Sequence, residues 1–192
     1  MVANDQQLLD DLEAAAFGVS RHDAREATAA RALWIRSLSE SEQRHLRVAL
    51  RRWIEERSHP WHAQEALELA VSMRWDDAID LSVSEARKRP LTPADELDKD
   101  AWFRIDVIRA AERLPTTAAI AYVEELATLG LTASTFVERS IGTRARLALC
   151  RVHPSKPCLD EVRLWLNRWN DDRLLSQWGP LLESLAKAAG QP

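Results

Sequence analysis

Helical spacing of apolar residues runs through nearly every segment of this chain, and no run of β-branched residues alternates with polar ones between turn signals. The period and the missing alternation together predict an all-α fold. With 5 glycines in 192 residues, the turns must rest largely on Pro, Ser, Thr and Asp. Ser39-Glu40-Ser41-Glu42 has the form of a capping box, in which Ser39 accepts from the third amide while Glu42 reaches back. Thr92-Pro93-Ala94-Asp95 is a close variant, with Pro93 at the first helical position, where its missing N–H costs nothing. Pro60 and Thr116 mark two more starts, and Gly18, Gly130 and Gly190 stand where helices should end. The signals predict about ten helices, over 4–17, 22–38, 40–57, 60–73, 76–89, 93–114, 116–129, 132–151, 157–168 and 171–189. Gly179-Pro180 should kink or split the last. Connections of about two to six residues favour antiparallel neighbours.

Two helices carry apolar residues on two sides. In 93–114, Leu97, Ala101, Ile105 and Ile108 form one stripe and Phe103, Val107, Ala110 and Leu114 another. In 132–151 the stripes are Val137, Ile141, Ala145 and Ala148, and Phe136, Ser140, Leu147 and Cys150. At about 100° per residue such stripes lie apart, so each helix is expected between neighbours. Segment 171–189 has one stripe, Leu174, Leu175, Trp178, Leu181, Leu182, Leu185 and Ala189, and reads as a capping helix. The length suits one domain, 1–192, with 1–39 as an N-terminal cap or appendage.

His59-Pro60 is followed fifteen residues after the proline by Trp75, and His153-Pro154 at the same distance by Trp169. Each pair brackets one helix and opens the next with aspartates, as in a repeated helix–turn–helix unit. Ala63-x-x-Ala66-Leu67-x-Leu69-Ala70 followed by Asp76-Asp77-Ala78-Ile79-x-Leu81 resembles the HEAT/armadillo-like helical-repeat superfamily, over about residues 40–189. That resemblance implies a right-handed stack of antiparallel helix pairs with a concave binding face, and it implies no chemistry.

Several function classes lack their motifs. No Gly-rich phosphate loop, no H-E-x-x-H and no G-x-S-x-G occurs. No stretch approaches the roughly 18 apolar residues of a membrane span. The acidic, polar N-terminus lacks a secretory pattern, so a cytoplasmic protein is expected. Cys150 and Cys158 make no disulfide framework, and a reducing compartment is the simplest reading. Cys150-x2-His153-x4-Cys158 has zinc-knuckle spacing but no fourth ligand nearby. Cys150 therefore reads as a core residue and His153-Pro154 as a turn, with no metal, cofactor or catalytic residue assigned. His59 and His62 read as turn residues with partly exposed rings.

The candidate partner-binding residues are Trp61, Trp75, Arg44, Arg47, Arg51, Asp76 and Asp77. Arg44, Arg47, Arg51 and Arg52 make a basic face opposite Leu46, Ala49, Leu50, Trp53 and Ile54, eased by i,i+4 pairs Arg51–Glu55 and Arg52–Glu56. Asp76 and Asp77 fit the positive end of a helix. Eight of the twelve aromatics are Trp. Trp53 and Trp178 fall on core stripes, whereas Trp61 and Trp75 sit at helix–turn junctions, where such rings serve as interface anchors. A chain with 26 Lys plus Arg against 30 Asp plus Glu, net −4, is acidic for a nucleic-acid binder. The expectation is a non-enzymatic module that binds another protein, as bacterial immunity proteins bind a toxin or adaptors bind a complex subunit. The alternative is a nucleic-acid-binding protein like the HEAT-repeat DNA glycosylases, using helix 40–57.

Overall fold

The start signals become caps, though not always where the sequence places them. The computed structural model describes residues 33–56, 60–92, 94 and 96–190, without the side chains of Pro60 and Trp61. The predicted helix 4–17, most of 22–38, Gly18, His59 and the side chain of Trp61 lie outside the described residues. A helical turn spans 33–37, followed by α1 (Glu40–Glu56), α2 (Pro60–Ser72), α3 (Asp76–Arg87), α4 (Lys99–Arg113), α5 (Thr117–Leu131), α6 (Phe136–Val152), α7 (Lys156–Trp169) and α8 (Asp172–Ala188). Among the described residues no strand occurs, so the chain is all-α as expected.

The Ser39–Glu42 box forms: the Glu42 amide donates to Ser39 Oγ at 3.3 Å, and the Ser39 amide to Glu42 Oε2 at 2.7 Å. Thr116 and Ser155 likewise cap α5 and α7. The predicted start of α4 at residue 93 is corrected. Asp98 is the N-cap, accepting from the Ala101 amide at 2.7 Å, and the Ala94 carbonyl is engaged elsewhere, by the Val137 amide at 3.1 Å. That bond satisfies an orphan donor at the start of α6, so the residues before Asp98 serve another helix's terminus. Helix α6 starts at Phe136 rather than at 132, behind a capping box of Thr135 and Glu138. Gly179-Pro180 does not split α8, which runs through Pro180 without interruption. Gly190, at φ 70°, ends α8 as expected.

Chain contacts divide the protein into two compact units, Met1–Glu85 and Ala86–Pro192. In the first, α1 packs on α2, burying Leu46, Ala49, Leu50, Trp53 and Ile54. Trp53 stacks on His62 with centroids 4.6 Å apart and planes within 16°. Helix α2 ends in a Schellman motif: the Trp75 amide donates to the Ala70 carbonyl at 2.8 Å and the Arg74 amide to that of Val71 at 3.2 Å. Arg74 takes the left-handed position at φ 51°, where glycine is usual, so sequence gives little sign of this turn.

In the second unit α6 touches α4, α5, α7 and α8. Both predicted stripes of α4 and of α6 are largely buried, because each helix has neighbours on two sides. Gly130 lies inside α5 instead of ending it. A Cβ built on Gly142 would stand 2.4 Å from Gly130 Cα, and one on Gly130 would meet Trp165 Cζ3 at 3.0 Å. Glycine is needed at 130 for the close approach of α5 and α6, not for chain reversal.

The cysteine reading is also overturned. Cys150 and Cys158 are joined in a disulfide that ties the end of α6 to the first turn of α7. Spacing alone did not reveal it, because the short reversal 153–157 is what brings the two positions together. Cys150 is buried as expected, His153 ends α6, and the zinc reading loses both thiols. Replacing both cysteines by Ser is expected to lower unfolding free energy by roughly 2–3 kcal/mol, the scale for closing so short a loop. Urea unfolding of oxidised wild type against the double variant checks this; superimposable curves would contradict it.

Among the described residues no helix is long and apolar enough to cross a membrane.

The capping box on α6 has a pH signature. Glu138 Oε2 accepts from the amides of Thr135 at 3.0 Å and Ser134 at 2.9 Å, and these bonds to the ionised form hold its pKa below the usual 4.5. A lowered folded pKa means that the contribution is complete above pH 4.5 and is lost as pH falls through the folded value. The stability gap between wild type and Glu138→Ala should therefore be constant from pH 7 to 5 and narrow below the usual 4.5. Denaturation series at each pH measure it, and a gap that widened in acid would contradict the assignment.

Candidate interaction surface on the first unit

Helix α1 has a hydrophobic face because its apolar residues recur at helical spacing, and this puts Arg44, Arg47, Arg51 and Arg52 on exposed positions. Arg51 pairs with Glu55 at 2.9 Å as the spacing predicts. The expected Arg52–Glu56 pair does not form, and among the described residues Arg36, Arg44 and Arg52 have no carboxylate partner. Val48, on the same exposed side, is 65% accessible.

The Schellman turn carries Trp75 back towards α1. Its ring lies 5.7 Å from Arg47 Cζ, a cation–π contact joining two residues that the sequence assigns to partner binding. Trp75 is half-buried, as its junction position suggests. Beside Arg47 opens a cavity of about 210 Å³ lined by Ile35, Arg36, Gln43, Arg47, Ser72 and Met73. Arg36, Gln43 and Met73 were not singled out in the sequence. Their only signal there is adjacency: 35–36 precede the Ser39 cap, and 72–73 precede the turn that aims Trp75.

Asp76 and Asp77 are exposed in the first turn of α3, where the helix dipole favours carboxylates, and neither is ion-paired to an arginine among the described residues. The structure does not join them to the Arg47–Trp75 cluster. Arg44 and Arg51 share the helix with Arg47, but Arg51 is occupied by Glu55.

A basic groove assembled with Arg144 and Arg146 would have favoured nucleic acid. Arg144 is instead buried and bidentate on Glu112, both side chains 4% accessible, and Arg146 is paired with Glu161. The same buried region links Trp178 Nε1 to Ser140 Oγ at 3.0 Å and Ser140 to Gln177 at 3.0 Å. The sequence reading missed this network. Its trace is a pair of charged residues, Glu112 and Arg144, inside the two helices striped on both sides.

Burial pushes the Tyr122 phenol above its ordinary pKa, against the opposing charge of Arg104, which makes it a weaker acid. Among the described residues no three His, Cys, Asp or Glu side chains gather as metal ligands. No protein-family model, curated protein or solved structure matches the chain.

Proposed function

We propose that the chain is a non-enzymatic protein-binding module of the immunity or adaptor kind, with its contact surface on the exposed face of α1 and the adjoining Trp75. The observation that carries the reading is the Arg47–Trp75 contact beside an open cavity: a large ring and a guanidinium held together, half in water, with Arg36 on the same cavity and no carboxylate partner for it among the described residues. Trp and Arg are the residues that most often supply binding energy at protein interfaces. A HEAT-like stack is part of the proposal. Its support is the contact order in the second unit, where α4 touches α6 and α6 touches α8, with α5 and α7 packed on α6. A cytoplasmic location no longer draws support from the cysteines, because lasting disulfides belong to oxidising compartments.

The nucleic-acid reading rests on Arg44 and Arg52, which have no carboxylate partner among the described residues, and is weakened by the carboxylates already holding Arg144 and Arg146. Capture from the source cell's extract tests both. Wild type is expected to retain a protein, and Arg47→Ala with Trp75→Ala to lose it at an unchanged helical signal. Retention of nucleic acid alone, or of a stoichiometric metal, would overturn the proposal.

A further inference from the structure

Two guanidiniums, Arg36 and Arg47, line one cavity, and neither has a carboxylate partner among the described residues. Like charges gathered around a small volume raise its potential and favour an anionic occupant. The contact with Trp75 uses the π face and charge of Arg47, and among the described residues its N–H donors have no acceptor. Among the described residues the other side-chain donors of the lining are already committed. Gln43 Nε2 donates to the carbonyls of Leu38 at 3.2 Å and Ile35 at 3.4 Å, and Ser72 Oγ donates to that of Glu68 at 2.9 Å. Among the described residues the side-chain donors left over are therefore these two planar forks, which pair bidentately with a carboxylate as with any oxyanion. Ile35 and Met73 add an apolar part to the lining that suits a methylene stem. At about 210 Å³ and open to solvent, the cavity has room for an acidic side chain with its stem.

We infer that this cavity receives a Glu or Asp side chain presented by an acidic segment of a protein partner. The inference rests on the protein-binding reading and names the chemistry of what is bound. Calorimetric titration of the full chain with a capped octaglutamate peptide tests it, with octalysine, inorganic phosphate and a single-stranded oligonucleotide as comparison probes. Octaglutamate is expected to bind with an affinity that falls as salt rises. Arg36→Gln and Arg47→Gln should each weaken it about tenfold, the usual scale for a charged hydrogen bond. Arg44→Gln, outside the cavity, should change it less. No octaglutamate binding, equal affinity in the cavity variants, or tighter Arg47-dependent binding of phosphate or oligonucleotide would overturn the inference. If a captured protein partner still depended on Arg47 and Trp75 while octaglutamate failed, the carboxylate inference would fall and the protein-binding reading would stand.

Discussion

Glu112→Ala is expected to lower unfolding free energy by about 3–5 kcal/mol, the cost of leaving a buried charge without its partner. Arg144 is 4% accessible and spends two N–H donors on Glu112, the longer bond at 2.8 Å. Its guanidinium carbon also lies 5.9 Å from the Trp178 ring, so the side chain cannot turn to water without opening the α6–α8 contact. Arg151, 3.6 Å from Glu112 Oε2, would lose its partner too, but it is largely exposed and water can replace the contact. A double substitution, Glu112→Leu with Arg144→Met, should recover most of the loss, since it removes both charges while keeping volume. Urea denaturation of the three variants measures the effect. A loss below about 1 kcal/mol for Glu112→Ala would mean that the pair is hydrated and does not hold α4 to α6.

Gly142→Ala should destabilise by roughly 2 kcal/mol or more, although alanine is the better helix former by about 1 kcal/mol. The added methyl would meet Gly130 Cα at 2.4 Å and Gly130 N at 2.9 Å. Both are backbone atoms, with no rotamer to change, so α5 and α6 would have to move apart. Gly179→Ala is the control: beyond its chain neighbours a Cβ there meets nothing within 4 Å, and because Pro180 follows, the helix-propensity gain should be offset and stability should change little. Thermal unfolding of the two variants side by side separates crowding from propensity. Equal stability in both would mean that the close approach of α5 and α6 is absent in solution.

Most helices were legible because burial leaves a period in sequence. The doubly striped segments of α4 and α6 announced helices with neighbours on two sides, and the stripes are largely buried. Boundaries were less legible where two residues competed for one role. Thr92 and Asp98 both have cap chemistry, and the bond from the Val137 amide to the Ala94 carbonyl decides in favour of the later start. At the candidate site, Arg47 and Trp75 could each be singled out from sequence, since an exposed arginine and a junction tryptophan are local properties. Their contact could not be seen, because it depends on a left-handed Arg74 where no glycine signals the turn. Arg36, Gln43 and Met73 were invisible for the same reason: a cavity is a relation between segments.

The sequence by itself determined the helical class and most of the faces that would be buried. Those follow from periodicity and cap chemistry, which act within a few residues along the chain. Tertiary structure alone decided the work of the exceptional residues. Gly130 is a packing site rather than a terminus because α6 comes close to it, and Arg144 is a buried counter-charge because Glu112 faces it from another helix. Cys150 and Cys158 are a disulfide because the reversal between α6 and α7 brings their sulfur atoms together. In each case the deciding partner lies on another element, at a distance no local pattern encodes.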